Sequence, residues 1–108
     1  MSHRISFPIQ NLSSEQIEEL LFLAENVARK HVQKQIPSKE IKNFDIVIEF
    51  DNTDELNLDC IIDLELIKHS KFDPQKIIEE AVEKIFEVLE KELKIKSEWR
   101  KLSKKALV

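Results

Sequence analysis

The chain has 108 residues, enough for one domain with one hydrophobic core. It contains no glycine, which excludes the glycine-rich loops that hold phosphates in Walker-type and Rossmann-type nucleotide sites. Its net charge of −4 is unevenly distributed: residues 1–93 carry 11 basic and 20 acidic side chains, whereas residues 94–108 carry six basic side chains and one acidic side chain. We therefore predict a single domain over 1–93 and a basic helical extension over 94–108.

Several features of the composition indicate where the protein works. The apolar runs are short and interrupted by charge, so no segment is expected to span a bilayer, and the amino terminus lacks the apolar core of a signal peptide. Cys60 is the only cysteine, which excludes an internal disulfide and fits a reducing compartment. We therefore expect a cytoplasmic protein. The excess of lysine and glutamate is typical of thermophiles, although an AT-rich genome also raises lysine.

The first two predicted elements are a strand and a helix. Apolar and polar residues alternate over 5–9, which predicts a short strand, and Pro8 places that strand at a sheet edge because proline cannot donate to a neighbouring strand. A helix follows, because Ser13 and Gln16 form a capping-box pattern ahead of apolar residues at helical spacing. It is expected to end just before Pro37.

A hairpin is the next predicted feature. Residues 44–50 and 56–66 alternate between apolar and polar side chains, which predicts two strands joined by a turn at 51–55. If the turn places Phe50 opposite Leu56, no two carboxylates face each other on the polar side, so we expect that register. The expected pairs on the apolar face are Phe50–Leu56, Ile48–Leu58, Ile46–Cys60 and Phe44–Ile62.

The last predicted element is a long helix that begins where Asp73 precedes Pro74. The order is therefore β-α-β-β-α, which predicts an α+β fold: a three-stranded antiparallel sheet with both helices on one face. The third strand is the most apolar and is expected in the centre. Apolar residues continue at helical spacing into the extension, so the last helix is either continuous to about residue 106 or broken near 96–97.

Two surfaces are candidates for binding. Apolar side chains that extend past the sheet need a cover, so we expect a homo- or heterodimer built mainly from the last helix, while Phe22 falls among the polar residues of the first helix. The candidate interface residues are Phe22, Val88, Ile95, Trp99 and Leu102. The basic extension predicts the alternative of RNA binding, with Trp99 stacked on a base. Its candidate contacts are Lys94, Lys96, Arg100, Lys101, Lys104 and Lys105.

The chain contains carboxylates, histidines and one cysteine, but their spacing does not match a recognisable catalytic or metal-binding site. The polar face of the hairpin carries six carboxylates, which suit a cation site, a pair for acid–base chemistry or a solvated surface that blocks aggregation. The strand spacing offers no loop to wrap an ion and favours the solvated surface. The six carboxylates are Asp45, Glu49, Asp51, Asp59, Asp63 and Glu65. His3, His31, His69 and Cys60 lack the spacing of zinc ligands, and Cys60 falls on the apolar face. We expect no catalytic residue, no metal site and no cofactor.

Three segments together resemble a family of small archaeal proteins of unknown function. They read LSSEQI at 12–17, LNLD at 56–59 and FDPQKIIEEA at 72–81. Genes of that family commonly neighbour the gene for the prefoldin beta subunit, which implies a prefoldin-associated factor as one alternative.

The order β-α-β-β-α also resembles the small dimerising subunit of KEOPS, the complex that makes threonylcarbamoyl adenosine in tRNA. That subunit pairs through its fold and docks on the catalytic kinase-like subunit through helices. The resemblance implies a non-catalytic adaptor or dimerising subunit, with KEOPS subunits as its partners. Because a fold is shared by many functions, this expectation needs support from specific surfaces.

Overall fold

A computed structural model describes residues 2–7, 12–51 and 55–97, with side chains described as far as Leu93. Within these ranges the elements are β1 (Ser2–Phe7), α1 (Ser14–Gln35), a 3₁₀ turn (Ser38–Glu40), β2 (Ile41–Asp51), β3 (Leu56–Leu66) and α2 (Pro74–Ser97). The strands form one antiparallel sheet in the order β1-β3-β2. The predicted α+β fold, the edge position of the first strand and the central position of the third strand are therefore confirmed.

Both helices begin at the caps that the sequence predicts. The backbone N–H of Gln16 donates to the Ser13 hydroxyl at 3.1 Å, and the N–H of Ser13 donates to the Gln16 side chain at 2.9 Å. At the start of α2, the N–H of Gln75 donates to a carboxylate oxygen of Asp73 at 3.0 Å. These bonds satisfy N–H groups that have no partner within the helix, which makes both start points locally determined.

The core lies between the helices and one face of the sheet. On β3 every second side chain from Leu56 to Ile62 is completely buried, and α1 and α2 contribute the residues that cover this row. The side chains of β2 that point to the same face are less buried, Phe44, Ile46 and Ile48 only partly and Phe50 exposed, because β2 is an edge strand and has a neighbour on one side only. Each fully buried aliphatic side chain stabilises the fold by about 1.5–3 kcal/mol.

The register of the hairpin is displaced by two residues from the predicted one. Phe50 lies opposite Leu58 rather than Leu56. The other core-face pairs are Ile48–Cys60, Ile46–Ile62 and Phe44–Leu64, and a bulge near Lys42 brings Ile41 opposite Leu66. A shift of two residues keeps every side chain on its predicted face, so the alternating pattern alone cannot exclude it.

Burial of apolar side chains explains why the observed register is preferred. In the predicted register Leu66 would have faced Glu40, whereas it now joins Ile41 in a second apolar cluster with Val32 and Ile77 at the end of the domain. Ile41 and Leu66 are partly buried, so each gains a part of the roughly 1.5–3 kcal/mol that a fully buried leucine is worth, whereas each directly opposed pair of like charges on a solvated face costs roughly 0.2–1 kcal/mol. We therefore expect the apolar contacts of these two side chains to offset the repulsion.

The observed register brings carboxylates opposite each other on the outer face of the sheet, which the predicted register would have avoided. The two opposed pairs are Asp45 with Asp63 and Glu49 with Asp59. Arg4 of β1 donates to both carboxylate oxygens of Asp59 at 2.8 and 3.0 Å, which partly compensates the second pair. The expectation that no carboxylates face each other is wrong.

We expect the substitution Asp45→Asn to stabilise the protein at neutral pH by removing one of two opposed charges. The gain should be a rise in Tm of about 1–4 °C, measured by thermal unfolding. Salt screens the repulsion between exposed charges, so the gain should shrink at about 1 M salt.

The matched control is Asp59→Asn, which relieves repulsion by Glu49 but also removes the bonds from Arg4. It should therefore show no gain at neutral pH. The hydrogen bonds from Arg4 lower the pKa of Asp59, so the stability this pair contributes is present above the ordinary carboxyl pKa and is lost as the pH falls through the lowered value. An equal rise in Tm for both variants, or a gain for Asp45→Asn that is unchanged at high salt, would contradict this interpretation.

Candidate functional site

A cleft of about 260 Å³ opens on the outward side of the helical layer, between α1 and α2. Its lining residues recur at spacings of three and four, so they form one stripe on the flank of each helix. The lining consists of Val27, Lys30, His31 and Lys34 from α1, and Lys84, Glu87 and Val88 from α2. The cleft therefore draws on both halves of the chain.

The cleft combines an apolar floor with a basic rim. Val27 and Val88 are half-buried, and the three lysines are exposed. Three ammonium groups against the single carboxylate of Glu87 give the lining an excess of positive charge. This sign is opposite to the net charge of the chain as a whole.

His31 is the buried polar side chain of the lining, with 6% of its surface exposed. Its Nε2 lies 3.4 Å from Oε1 of Glu80 on α2, and Nε2 donates to that carboxylate oxygen only in the tautomer that carries the hydrogen on Nε2. This distance is beyond the usual range for a hydrogen bond between nitrogen and oxygen, so the contact is weak. The ring links the two helices at the base of the cleft.

The outer face of the sheet lies on the other side of the molecule and has the opposite charge. The six carboxylates expected there do share this face. Bonds from Arg4 hold the pKa of Asp59 below its ordinary value, and Asp59 in turn raises the pKa of Arg4. In the described ranges no three His, Cys, Asp or Glu side chains are grouped so that they could hold a metal ion.

Phe22 is the most exposed of the large apolar side chains that the structure describes, with 69% of its surface open to solvent. It lies on the outward side of α1, in a shallow depression that it shares with three carboxylates. These are Glu15, Glu18 and Glu19. The placement of Phe22 among polar residues agrees with the sequence prediction.

The other predicted binding residues are only partly within the described chain. Val88 lies in the cleft, and Ile95, Lys94 and Lys96 belong to the backbone of α2, which is described to Ser97. The remaining candidates lie outside the described residues. They are Trp99, Arg100, Lys101, Leu102, Lys104 and Lys105.

The sequence prediction missed the lysines of the cleft. Lys30 and Lys34 flank Val27 on the helical surface of α1, and Lys84 flanks Val88 on α2. A pattern that indicates these lysines is present in the sequence, because each helix carries lysines along the same edge of its apolar stripe. The prediction overlooked this pattern because it used the total charge of residues 1–93, which is acidic.

Cys60 lies opposite His3 across β3 and β1, an arrangement that could suit a nucleophile and its base. Cys60 is completely buried. Burial, together with the charge of Asp59, raises the pKa of the Cys60 thiol to about 11. A nucleophilic cysteine requires the reverse, a lowered pKa and partial exposure, so the geometry supports a core role for Cys60.

Comparison with known proteins places the chain in a family. The model of a family described as a protein of unknown function, DUF3194, matches residues 9–92. The chain belongs to the DUF3194 family. This DUF3194 chain is 31% identical over 86 residues to an uncharacterised protein of Thermococcus kodakarensis, an alignment that covers 80% of each chain.

Two solved structures share the fold of this DUF3194 protein. A crystal structure from Thermococcus onnurineus has a TM-score of 0.79 at 26% identity and covers 91% of this chain and 95% of its own. The solution structure of a hypothetical protein from Methanothermobacter thermautotrophicus has a TM-score of 0.67 at 30% identity, with 81% and 94% covered. The relatives come from thermophilic archaea, in agreement with the archaeal resemblance and the lysine-glutamate bias.

Across the described parts of the DUF3194 chain, neither helix has an apolar stretch of the length and composition needed to cross a bilayer.

We expect the Cys60 thiol to resist alkylation in the folded protein. A rise in pKa from 9.0 to about 11 lowers the thiolate fraction about a hundredfold near neutral pH, so iodoacetamide should react at least about a hundredfold more slowly than with the denatured chain, followed by mass spectrometry. A reference thiol introduced by Ser14→Cys at an exposed position should react rapidly in the same sample.

The raised pKa also predicts a dependence of stability on pH. The contribution of the protonated thiol is fully present below about pH 9.0 and is lost as the pH rises through about 11, because the unfolded chain ionises first. Fast alkylation of native Cys60 at neutral pH would overturn its assignment to the core and restore the pair with His3 as a candidate site.

Proposed function

We propose that this protein is a non-catalytic adaptor or dimerising subunit that binds a partner protein through the outward surface of its two helices. The observation that carries the proposal is the 69% exposure of Phe22 on that surface. Covering an exposed phenyl ring gains about 1.5–3 kcal/mol, and aromatic side chains are enriched in protein interfaces. Phe22 therefore supplies an anchor that folding leaves unused.

The helical surface suits docking better than the outer face of the sheet. The sheet presents the opposed carboxylates of Asp45 with Asp63 and of Glu49 with Asp59, and a protein that covered them would have to remove ionised groups from water. The helical surface instead offers Phe22 and, on a different flank of α1, the cleft with its apolar floor. Both apolar features lie on the side that the sheet does not cover.

The partner that we propose is a KEOPS-like assembly. Support comes from the order β-α-β-β-α with both helices on one face, since the KEOPS subunit that this order resembles docks through its helices. Dimerisation through the end of α2, with Ile95, Trp99 and Leu102, stays a prediction of the sequence pattern. A prefoldin-associated role stays a prediction of the family resemblance.

We expect Phe22→Ser to weaken partner binding without destabilising the fold. Loss of an aromatic anchor commonly costs 2 kcal/mol or more, which corresponds to a roughly thirtyfold weaker Kd. The free energy of unfolding should change by about 0.5 kcal/mol or less, because the side chain is exposed. Binding is measured by interferometry against purified KEOPS subunits, and self-association by sedimentation velocity.

Val47→Ser is the matched control, since Val47 is also apolar and 51% exposed but lies on the outer face of the sheet. It should leave binding unchanged. Wild-type protein that sediments as a monomer and binds none of the KEOPS subunits would contradict the proposed partner. Equal losses for the two substitutions would contradict the assignment of the surface.

RNA binding through the extension is a second candidate, favoured by the continuation of α2 through Lys94 and Lys96. Six contacts to phosphates of a single strand predict a slope of about −4 when log affinity is plotted against log salt concentration. The test replaces Arg100, Lys101, Lys104 and Lys105 with glutamine and measures RNA binding by fluorescence anisotropy. Binding that is absent at low salt, or unchanged in the variant, would exclude this function.

A further inference from the structure

We propose that the cleft between α1 and α2 binds an acidic amphipathic segment of a partner protein. In this arrangement apolar side chains of the segment rest on Val27 and Val88, while its carboxylates face Lys30, Lys34 and Lys84. The inference rests on the proposed function, because it names the chemistry of the segment that the helical surface receives. The proposed function leaves the ligand of the cleft open, whereas here that ligand is an acidic amphipathic segment.

The apolar floor supplies the affinity in this assignment. Val27 and Val88 are only half-buried, although both belong to the apolar stripes with which the helices pack. Their remaining surface is hydrated in the free protein and would be removed from water by an aliphatic side chain of the segment. Each methylene group that is buried in this way is worth about 0.8 kcal/mol.

The lysines supply the charge preference. Lys30 and Lys34 are one helical turn apart on α1, and Lys84 extends from α2 on the other side of the cleft. An exposed ion pair is worth only about 0–1 kcal/mol, so these groups select acidic segments and orient them more than they tighten binding. Glu87 is the carboxylate of the lining, and it would disfavour a segment of uniform negative charge without apolar residues.

The size of the cleft indicates side chains of a macromolecule rather than a metabolite. Sites for small molecules usually measure about 300–1,000 Å³ and enclose most of the ligand. The cleft holds about 260 Å³ and is open along one side. It can therefore seat a few side chains of a segment that lies across it.

A protein segment fits the cleft better than RNA. The one aromatic ring of the lining, the imidazole of His31, is buried with 6% of its surface exposed, so the described lining offers no open ring face on which a base could stack, and the floor is aliphatic. Three lysines also make a short track for a phosphate backbone, with Glu87 among them. An acidic segment with aliphatic side chains uses both the floor and the rim.

The test uses the full chain and a fluorescein-labelled helical peptide of about 14 residues, four turns, with leucine on one face and glutamate on the other. We expect saturable binding by fluorescence anisotropy. The double substitution Lys30→Glu with Lys84→Glu should weaken binding at least tenfold. The matched control is Lys39→Glu with Lys68→Glu, which changes the net charge equally at exposed positions outside the cleft and should weaken binding less than twofold.

Two further probes separate the contributions of charge and apolar contact. A peptide with serine in place of leucine should bind at least tenfold more weakly, and a peptide with glutamine in place of glutamate should bind at least about threefold more weakly. In methyl NMR spectra the acidic peptide should shift the signals of Val27 and Val88, whereas the methyl groups of Val47 on the outer face of the sheet should not move. Thermal unfolding of the lysine variants checks that their fold is retained.

The outcomes distinguish this inference from the proposed function. No peptide binding, equal losses in the two lysine variants, or shifts centred on Val47 would overturn the assignment of the cleft. Tighter binding of a poly-uridine strand than of the peptide, abolished by Lys30→Glu with Lys84→Glu, would overturn the acidic segment in favour of RNA. If the peptide fails while KEOPS subunits still bind in a manner that depends on Phe22, the adaptor function stands and only the cleft assignment is lost.

Discussion

The apolar row along β3 is the constraint on which the other features of the molecule depend. Its side chains from Leu56 to Ile62 are completely buried, and β3 is the strand that pairs with both neighbours. In a sheet of three strands only one central strand can be covered so completely, and both helices must lie on the same face to cover it. The other face is then left to solvent, and the polar residues that alternate with the apolar row become its surface.

This arrangement separates charge as well as polarity. The carboxylates that alternate with the core residues of β2 and β3 collect on the outer face of the sheet. Lys30, Lys34 and Lys84 of the helices instead lie at the cleft on the outward side. The two binding proposals depend on this separation, since the sheet repels the acidic segment that the cleft attracts.

Features that depend on neighbouring residues could be predicted from the sequence, whereas features that depend on contacts between distant residues could not. The caps at Ser13 and Asp73 involve residues two or three positions apart, so both helix starts could be predicted. The register of β2 with β3 could not, because a shift of two residues preserves the pattern of faces and is decided by the apolar cluster around Leu66.

The candidate site, like the fold, has one part that could be predicted from the sequence and one part that could not. Phe22 could be found from the helical spacing of α1 alone, because its exposure depends on one helix. The cleft could not, because Lys34 and Lys84 are 50 positions apart in the chain and meet only through the packing of the two helices. Helical spacing places the lining residues of each helix on one flank, and only tertiary packing brings the two flanks face to face.

Net charge is consequently a poor guide to what this protein binds. The acidic total for residues 1–93 argued against any anionic partner for the domain, but charges on opposite faces do not act as a sum. At physiological salt the screening length is about 8 Å, and the thickness of one helix is already about 10–12 Å. A segment that approaches the cleft is therefore governed by Lys30, Lys34 and Lys84, while the carboxylates behind the sheet are largely screened from it.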